Sequence, residues 1–362
     1  MPTTDSDEAG GWLRLSLIPG LGHVTLRQLL AEFGAPEKVL AARHPELRNF
    51  VSADLATAIA DGGNGDAATL ALAWMGEPGN HIVTLGDADY PQLLLQTADP
   101  PPLLYVKGRH ELLNRPALAI VGSRNASAQG TESAAEFAQT LSAAGITIIS
   151  GLALGIDAAA HRGGLQGAGR SIALVGTGLD VVYPARNRAL AHELAVNGAL
   201  VSEFPLGTPP LANNFPRRNR LISGMSLGCL VVEAALQSGS LITARFANEQ
   251  GREVFALPGS IHSPLAKGCH ALIKQGAKLV DDANDILEEL KVTIRPAPRF
   301  DAPALDADQS QLLNHLGYEP CNLDTLCTRA GLGAAAAAGL LLKLELLGLV
   351  ENLPGGRYQR VR

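Results

Sequence analysis

The chain has 362 residues, room for two or three domains; 46% hydrophobic and 18% charged residues with 39 glycines give it the composition of a globular protein rich in tight turns. Its formal net charge of -6 excludes a protein that coats nucleic acid by bulk positive charge, so any nucleic-acid site has to be a local basic cluster. No apolar run reaches membrane-spanning length, Met1–Gly10 is acidic rather than a secretory signal, and Cys229, Cys269, Cys321 and Cys327 form no C-x-x-C pair, so a cytoplasmic protein with reduced thiols and no structural zinc is expected.

Trp12 to Ala60 reads as helical, with apolar residues at spacings of three and four (Leu26, Leu29, Leu30, Phe33). Within it, Ile18–Thr25 (I-P-G-L-G-H-V-T) is a tight glycine turn between two helices. It resembles a helix-hairpin-helix, whose turn amides can hold a phosphate. Residues 1–80 carry five Lys/Arg against ten Asp/Glu, which favours a plain helical hairpin or a vestigial DNA site. Asp61–Asp66 (D-G-G-N-G-D) reads as a loop, because its spacing is not that of a calcium-binding EF-hand. Short strands are expected at Ile82–Leu85 and Leu103–Lys107, on either side of a proline-rich segment.

From Ala117 the pattern becomes regular. Strand-like runs at Leu118–Val121, Thr147–Ile149, Ser171–Val175, Ala199–Ser202, Leu230–Val232, Val254–Leu257 and Lys278–Val280 alternate with helices at Glu132–Ala144, Asp157–Gln166, Arg188–Val196, Arg217–Met225, Leu241–Glu249 and Ala271–Gln275. Continuous apolar strands joined by crossover helices predict an α/β fold, a doubly wound, Rossmann-like parallel sheet of seven or so strands. Lys291–Asp308 is a proline-rich linker. Beyond it, helices at Gln309–Leu316, Leu323–Ala330 and Ala334–Leu347 and a hairpin over Glu351–Tyr358 make a winged-helix pattern. Its third helix carries only Lys343 and Glu345 as charged groups, which suits a protein contact or a packed core better than reading a major groove.

Ligands of open parallel sheets bind outside the carboxyl ends of the strands. Those ends are built here from small residues: Gly122–Ser127, Ser150–Asp157, Gly176–Asp180, Ser202–Gly207, Gln237–Thr243 and Pro258–Ser260. Such loops let backbone amides approach oxyanions. Beside them lie Arg124 and the run F-P-R-R-N-R-L-I at Phe215–Ile222, with three arginines in four positions and Pro216 suited to a first helical turn. Cations at a helix start oppose the macrodipole, a conflict that a bound anion removes. An extended polyanion site is therefore expected along the rim. No G-x-G-x-x-G or Walker motif occurs, which argues against a dinucleotide and a P-loop ATPase. Asp157 is read as bonding its own helix start and His161 as pointing at the rim, with no nucleophile beside them. Glu203 and Glu233, taken to end adjacent strands, would hold a metal, sugar hydroxyls or neighbouring arginines. With aromatics at 4%, Phe215 and Tyr183 are the candidates for stacking on a base.

Several of these stretches together resemble one family. A-I-V-G-S-R at Ala119–Arg124, S-G-L-A-L-G-I-D-A-A-A-H at Ser150–His161, F-P-R-R-N-R-L-I-S-G from Phe215, S-G-S-L-I-T-A at Ser238–Ala244 and A-L-P-G-S at Ala256–Ser260 are similar, in this order, to the DNA-processing DprA (Smf) family. The resemblance implies a helical SAM-like domain over residues 1–80, an extended Rossmann-like core over 81–290, a linker over 291–308 and a winged helix over 309–362. It implies a cytoplasmic homodimer, joined through its Rossmann-like domains, that binds incoming single-stranded DNA and loads the RecA recombinase in natural transformation. No catalytic residue, cofactor, metal or membrane is attached to that role. Carried over by motif, Arg124, Phe215, Arg217, Arg218, Asn219 and Arg220 would bind the strand, with Gly122, Ser123, Gly151 and Gly155 supporting it through backbone amides. Where the family more often has Asn, this chain has His270, which would make a contact there pH-sensitive. The rival reading is a nucleoside-monophosphate phosphoribohydrolase or a small-nucleotide sensor on a related fold; S-G-S-L-I-T-A lacks the glutamate of that enzyme's P-G-G-x-G-T-x-x-E loop.

Overall fold

In the computed structural model, residues 6–291, 305–317, 320–353 and 355–360 are described; most of the expected linker lies outside them. Nine strands make one sheet: β1 Asn80–Thr84, β2 Leu103–Gly108, β3 Ala117–Val121, β4 Thr147–Ser150, β5 Ser171–Leu174, β6 Ala199–Ser202, β7 Gly228–Val231, β8 Glu253–Ala256 and β9 Lys278–Leu279. Their spatial order is β1-β2-β6-β5-β4-β3-β7-β8-β9. The seven strands β3 to β9 are parallel, as the crossover pattern required. Two further strands extend the sheet antiparallel, β2 along β6 (Tyr105↔Ser202) and β1 along β2 (Ile82↔Tyr105). Apolar patterning marks strands around Ile82 and from Leu103, but carries no information about which edge they join.

All five residues of β3 are buried, because both faces of the sheet are covered. Leu118 and Ile120 pack under the helices Ala128–Ala143 and Ile156–Gln166, with Ala134, Ala138 and Leu141. Ala119 and Val121 point the other way, to Leu221 and Ile222 of the helix Asn214–Gly224 and Ala244 of the helix Ser240–Glu249. The chain steps outward from β3 to β6, then returns to place β7 on the other side of β3. That reversal opens a crevice between the carboxyl ends of β3 and β7, the position where doubly wound sheets take their ligands. It also separates Glu203, just beyond β6, from Glu233, just beyond β7, by the three strands β5, β4 and β3. The two carboxylates therefore do not end adjacent strands.

Six helices between Ser6 and Met75 form the N-terminal part. Ser6–Ser16 and His23–Phe33 are the expected hairpin, turned through Gly20 at φ 86°. Of the expected loop, the stretch up to Asn64 is one, and Gly65 and Asp66 already belong to the helix Gly65–Met75, which the Asn64 side chain caps by accepting from the Ala67 amide at 3.2 Å. Trp12 and Leu13 carry this unit onto the β1–β2 edge, packing with Ile82 and Tyr105. At the other end, the helices Ala307–Leu316, Leu323–Ala330 and Ala334–Leu346 and a sheet of β10 Cys321–Asn322, β11 Val350–Leu353 and β12 Arg357–Arg360 form a winged helix, with strand order β10-β12-β11. Leu341 and Leu344 fill its core beside Leu312 and Leu326, whereas Leu342 and Leu346 stay 58% and 80% exposed. Among the described residues no single helix is long and apolar enough to cross a membrane.

Candidate nucleic-acid interface

A groove of about 740 Å³ lies over the β3–β7 crevice. One wall is Gly122, Ser123 and Arg124 after β3, the other is Gln237–Gly239 with the first turn of the helix Ser240–Glu249, and Phe215 and Asn219 of the helix Asn214–Gly224 close one side. The exposed Arg124 guanidinium sits 5.9 Å from the centre of the Phe215 ring, which in turn meets Tyr183 at 5.5 Å and a 39° tilt. A cation and two aromatic faces are thus lined up in one groove, with Tyr183 44% exposed. The loop after β5 makes room for this: a Cβ on Gly176 would stand 3.0 Å from the Phe215 ring. Asn214 fixes the helix start by donating to the Gly176 carbonyl at 3.1 Å. The first turn of that helix has no acidic side chain and no side-chain cap, so its amides and its arginines face the same unresolved electrostatic conflict noted in the sequence.

The three arginines of the F-P-R-R-N-R run do not share a face. Arg217 and Arg220, three residues apart, turn to one side of the helix and both reach Glu203 Oε2, Arg217 at 3.3 Å and Arg220 closer still. Arg220 also donates to the Asp99 carbonyl. The Glu203 side chain is fully buried and that of Arg220 only 12% exposed, while Arg217 keeps 48% exposure and lies 5.4 Å from the Phe204 ring. Burial pushes the Glu203 carboxyl up, and Arg220 and Arg217 oppose it. His23, at the start of the second hairpin helix, packs against the same group, its Nε2 3.1 Å from Arg217. Burial first, then Arg217, hold its pKa down at about 4. Arg27 pairs with Asp99 at 3.3 Å. Gly20 and Gly22 of the turn stay exposed, but His23 at its end turns toward the core, and its hydrogen bond with Arg217, almost two hundred residues away in the chain, joins the N-terminal helices to the rim helix.

Arg218, expected on the strand-binding surface, turns inward. It is 5% exposed, and its Nη1 donates to the carbonyls of Gly151, at 2.7 Å, and Leu174. Burial lowers its pKa to about 10, against the pull of Asp157, so it stays charged. Asp157 accepts from the amides of Gly151 at 3.0 Å and Ala153 at 3.4 Å. Burial pushes its carboxyl up, and Arg218 opposes that. Gly151 is demanded by this packing: a Cβ would stand 2.7 Å from the Arg218 guanidinium. Its amide is engaged, and so is that of Ser123, which donates to the Glu233 carbonyl at 2.7 Å. These two amides, expected to cradle phosphate, instead lock the loops. Gly155 serves the same locking, at φ 72° and with a Cβ position only 2.3 Å from the Ser123 carbonyl oxygen. Asn219 is half-buried at the groove, its Oδ1 accepting from Arg218 Nε at 3.1 Å.

His161 does not point at the rim. It is fully buried, its Nε2 accepts from the Leu152 amide at 3.2 Å, and Nδ1 lies 2.8 Å from Ser171 Oγ. Because Nε2 accepts, the proton sits on Nδ1, which donates a hydrogen bond to Ser171 Oγ, whose hydroxyl donates in turn to the Ile148 carbonyl. Burial lowers its pKa to about 3 and keeps the ring neutral. Among the described residues Glu233 pairs with no arginine: it accepts from the amide and hydroxyl of Ser127, the cap of the helix Ala128–Ala143. His270 lies on the helix Lys267–Lys274, its Nε2 3.0 Å from the Gly259 carbonyl. The Asp99, Arg27 and His23 contributions to the rim had no local sequence signal.

Fold, groove and attached winged helix together define a protein of extended Rossmann type with a candidate polyanion groove. Residues 81–291 match the model of the family described as DNA recombination-mediator protein A, and residues 296–356 match the DprA winged helix domain. The chain belongs to the DprA/Smf family. It is 48% identical over 302 residues to Protein Smf of Escherichia coli, covering 80% of each chain. The X-ray structure of DNA processing protein A from Streptococcus pneumoniae superposes at a TM-score of 0.69 and 36% identity, over 80% of this chain and 99% of that one. A Helicobacter pylori DNA processing protein A, whose structure was described for its unique single-stranded DNA binding mode, superposes at 0.54 and 30% identity, over 59% of this chain and 97% of that one.

Proposed function

We propose that the groove over the β3–β7 crevice holds single-stranded DNA, that the protein is a non-enzymatic mediator, and that it protects incoming strands and loads RecA onto them. The observation that carries the reading is the row Arg124–Phe215–Tyr183, an exposed cation beside two adjacent, tilted rings at the switch point. Phosphates are met by Arg124, by the exposed side of Arg217 and by the uncapped start of the helix Asn214–Gly224; Phe215 and Tyr183 stack on bases, and Asn219 supplies an amide edge. Arg218, Arg220, Gly122, Ser123, Gly151 and Gly155 hold these groups in place. The binding of single-stranded DNA by the Helicobacter pylori relative supports the same role here. RecA loading, pairing of two chains through the Rossmann-like domains and a cytoplasmic site of action are part of the proposal and rest on family membership. It includes no catalytic step, since Asp157 and His161 are both committed to structural bonds.

Fluorescence anisotropy with labelled oligonucleotides tests it. Single strands bind more tightly than duplex of the same length, and the affinity falls steeply with salt because phosphates carry most of it. Arg124→Ala costs about tenfold in affinity at unchanged melting temperature. Equal affinity for duplex and single strand, or full binding by the Arg124→Ala protein, would overturn the reading.

A further inference from the structure

Tyr183, one of the two rings of the groove, is carried by the segment that follows β5 and leads into the helix Arg188–Asn197. The ring is 44% exposed, so its own packing holds it only in part. Such a ring stacks on a base at little cost only if the backbone beneath it is already held, because ordering a free group on binding costs affinity. A single turn, Ala185–Asn187, separates Tyr183 and Pro184 from the helix, and the Asn187 amide closes it by donating to the Pro184 carbonyl at 3.0 Å. Asn187 stands at the cap position of that helix, where an asparagine side chain ordinarily accepts from a first-turn amide. It makes no such bond. Instead it is 4% exposed, and its Nδ2 donates to two successive carbonyls of the β4 loop, Leu152 at 2.9 Å and Ala153 at 3.0 Å.

The two acceptors are themselves fixed. Leu152 has a φ of 57°, a left-handed conformation that a residue with a Cβ adopts at a cost. Its amide donates to His161 Nε2 at 3.2 Å, so His161 and Asn187 between them hold both of its backbone polar groups. Ala153 lines the same groove as Tyr183. The start of the Tyr183 segment is anchored separately: Thr177 Oγ1 donates to the Val181 carbonyl at 2.9 Å, and the Asp180 carboxylate accepts from the Gly207 amide at 2.8 Å. Asn187 ties the other end, just past the ring, to a loop that is already rigid.

We infer that Asn187 is a positioning residue for strand binding: by bracing the Tyr183 segment against the β4 loop, it sets the Tyr183 ring beside Phe215 in the attitude that receives a base. The inference rests on the single-stranded DNA reading above and assigns a residue that the binding motifs do not include. Asn187 is buried, so its effect on affinity passes through Tyr183. A general weakening of the fold and a loss of ring position then have different signatures, because only the second depends on the bases of the strand and on the presence of Tyr183.

A double-mutant cycle on affinity is the test, with a labelled single strand and its counterpart made of abasic residues, at a temperature where every variant is folded. Tyr183→Ala weakens binding of the base-containing strand by about tenfold. Asn187→Ala weakens it by about three- to tenfold, and both variants spare the abasic strand. In the Tyr183→Ala background, Asn187→Ala costs less than about twofold, because the ring it positions is already gone. Asn187→Ser keeps a capping hydroxyl at the helix start but is too short to reach both carbonyls. It gives the same pattern and serves should the alanine variant fail to fold. Losses that multiply in the double variant, an equal loss for the abasic strand, or full affinity of the Asn187 variants overturn the positioning role while leaving the groove intact. Absence of binding by the unaltered protein overturns both readings.

Discussion

Replacing Arg218 by alanine separates a strand contact from a structural bracket. In the folded chain its guanidinium satisfies the Gly151 and Leu174 carbonyls and faces the buried Asp157 carboxylate. The substitution leaves two buried carbonyls without a donor, a carboxylate without its cation and a cavity where the side chain stood. Leaving a buried polar group without its partner costs about 1–3 kcal/mol, so the two carbonyls together lose about 2–6 kcal/mol. For a domain of this size that is roughly a 10 °C fall in melting temperature. Urea and thermal unfolding of Arg218→Ala read the loss directly. A second substitution, Asp157→Asn, removes the stranded charge, and the double variant recovers part of the stability, with a coupling of about 1–3 kcal/mol. Oligonucleotide affinity, measured at a temperature where Arg218→Ala is still folded, falls less than it does in Arg124→Ala. An Arg218→Ala protein with unchanged stability and lost DNA binding would refute this account and return Arg218 to the strand-binding surface.

Two further outcomes follow from buried groups beneath the rim loops. His161 titrates at about 3 in the folded chain against 6.5 unfolded, so its contribution is complete above pH 6.5 and is lost as the pH falls. Between pH 7 and pH 5 this costs roughly 2 kcal/mol; a His161→Gln protein has a shallower loss of urea stability over that interval, and identical slopes would show that His161 is not held neutral. Gly155→Ala forces a side chain into a left-handed backbone and against the Ser123 carbonyl. It lowers stability by about 2–3 kcal/mol and shifts the Arg124 loop, seen as a lower urea midpoint together with weaker DNA binding; an unchanged midpoint would show the loop to be slack.

Much of the core was legible because a sheet covered on both faces needs continuous apolar strands, and the run from Leu118 to Lys278 alternates such strands with amphipathic helices. The rim was legible for a related reason: small residues such as Gly122, Gly151 and Gly155 end the strands, where loops pack tightly against one another. Their role was misread in detail. The glycines look like a phosphate cradle in the sequence, yet the amides of Ser123 and Gly151 donate to Glu233 and Asp157. A motif states which residue types meet, and not whether their amides have already found partners within the protein.

The helix Asn214–Gly224 shows where each kind of information ends. Sequence alone determined that three arginines stand on one short helix after the fourth parallel strand, and that a 3.6-residue period puts Arg217 and Arg220 on a different side from Arg218. Only the tertiary structure decided what those sides meet. One faces Glu203, Asp99 and the N-terminal hairpin, and the other faces Asp157 beneath the β4 loop, leaving Arg124 and Phe215 at the open groove. The physical reason is that a charge is defined by its surroundings. Partners as distant in the chain as His23 and Arg217 set whether a guanidinium is a clamp for phosphate or a bracket for the fold, and no local pattern encodes that distance.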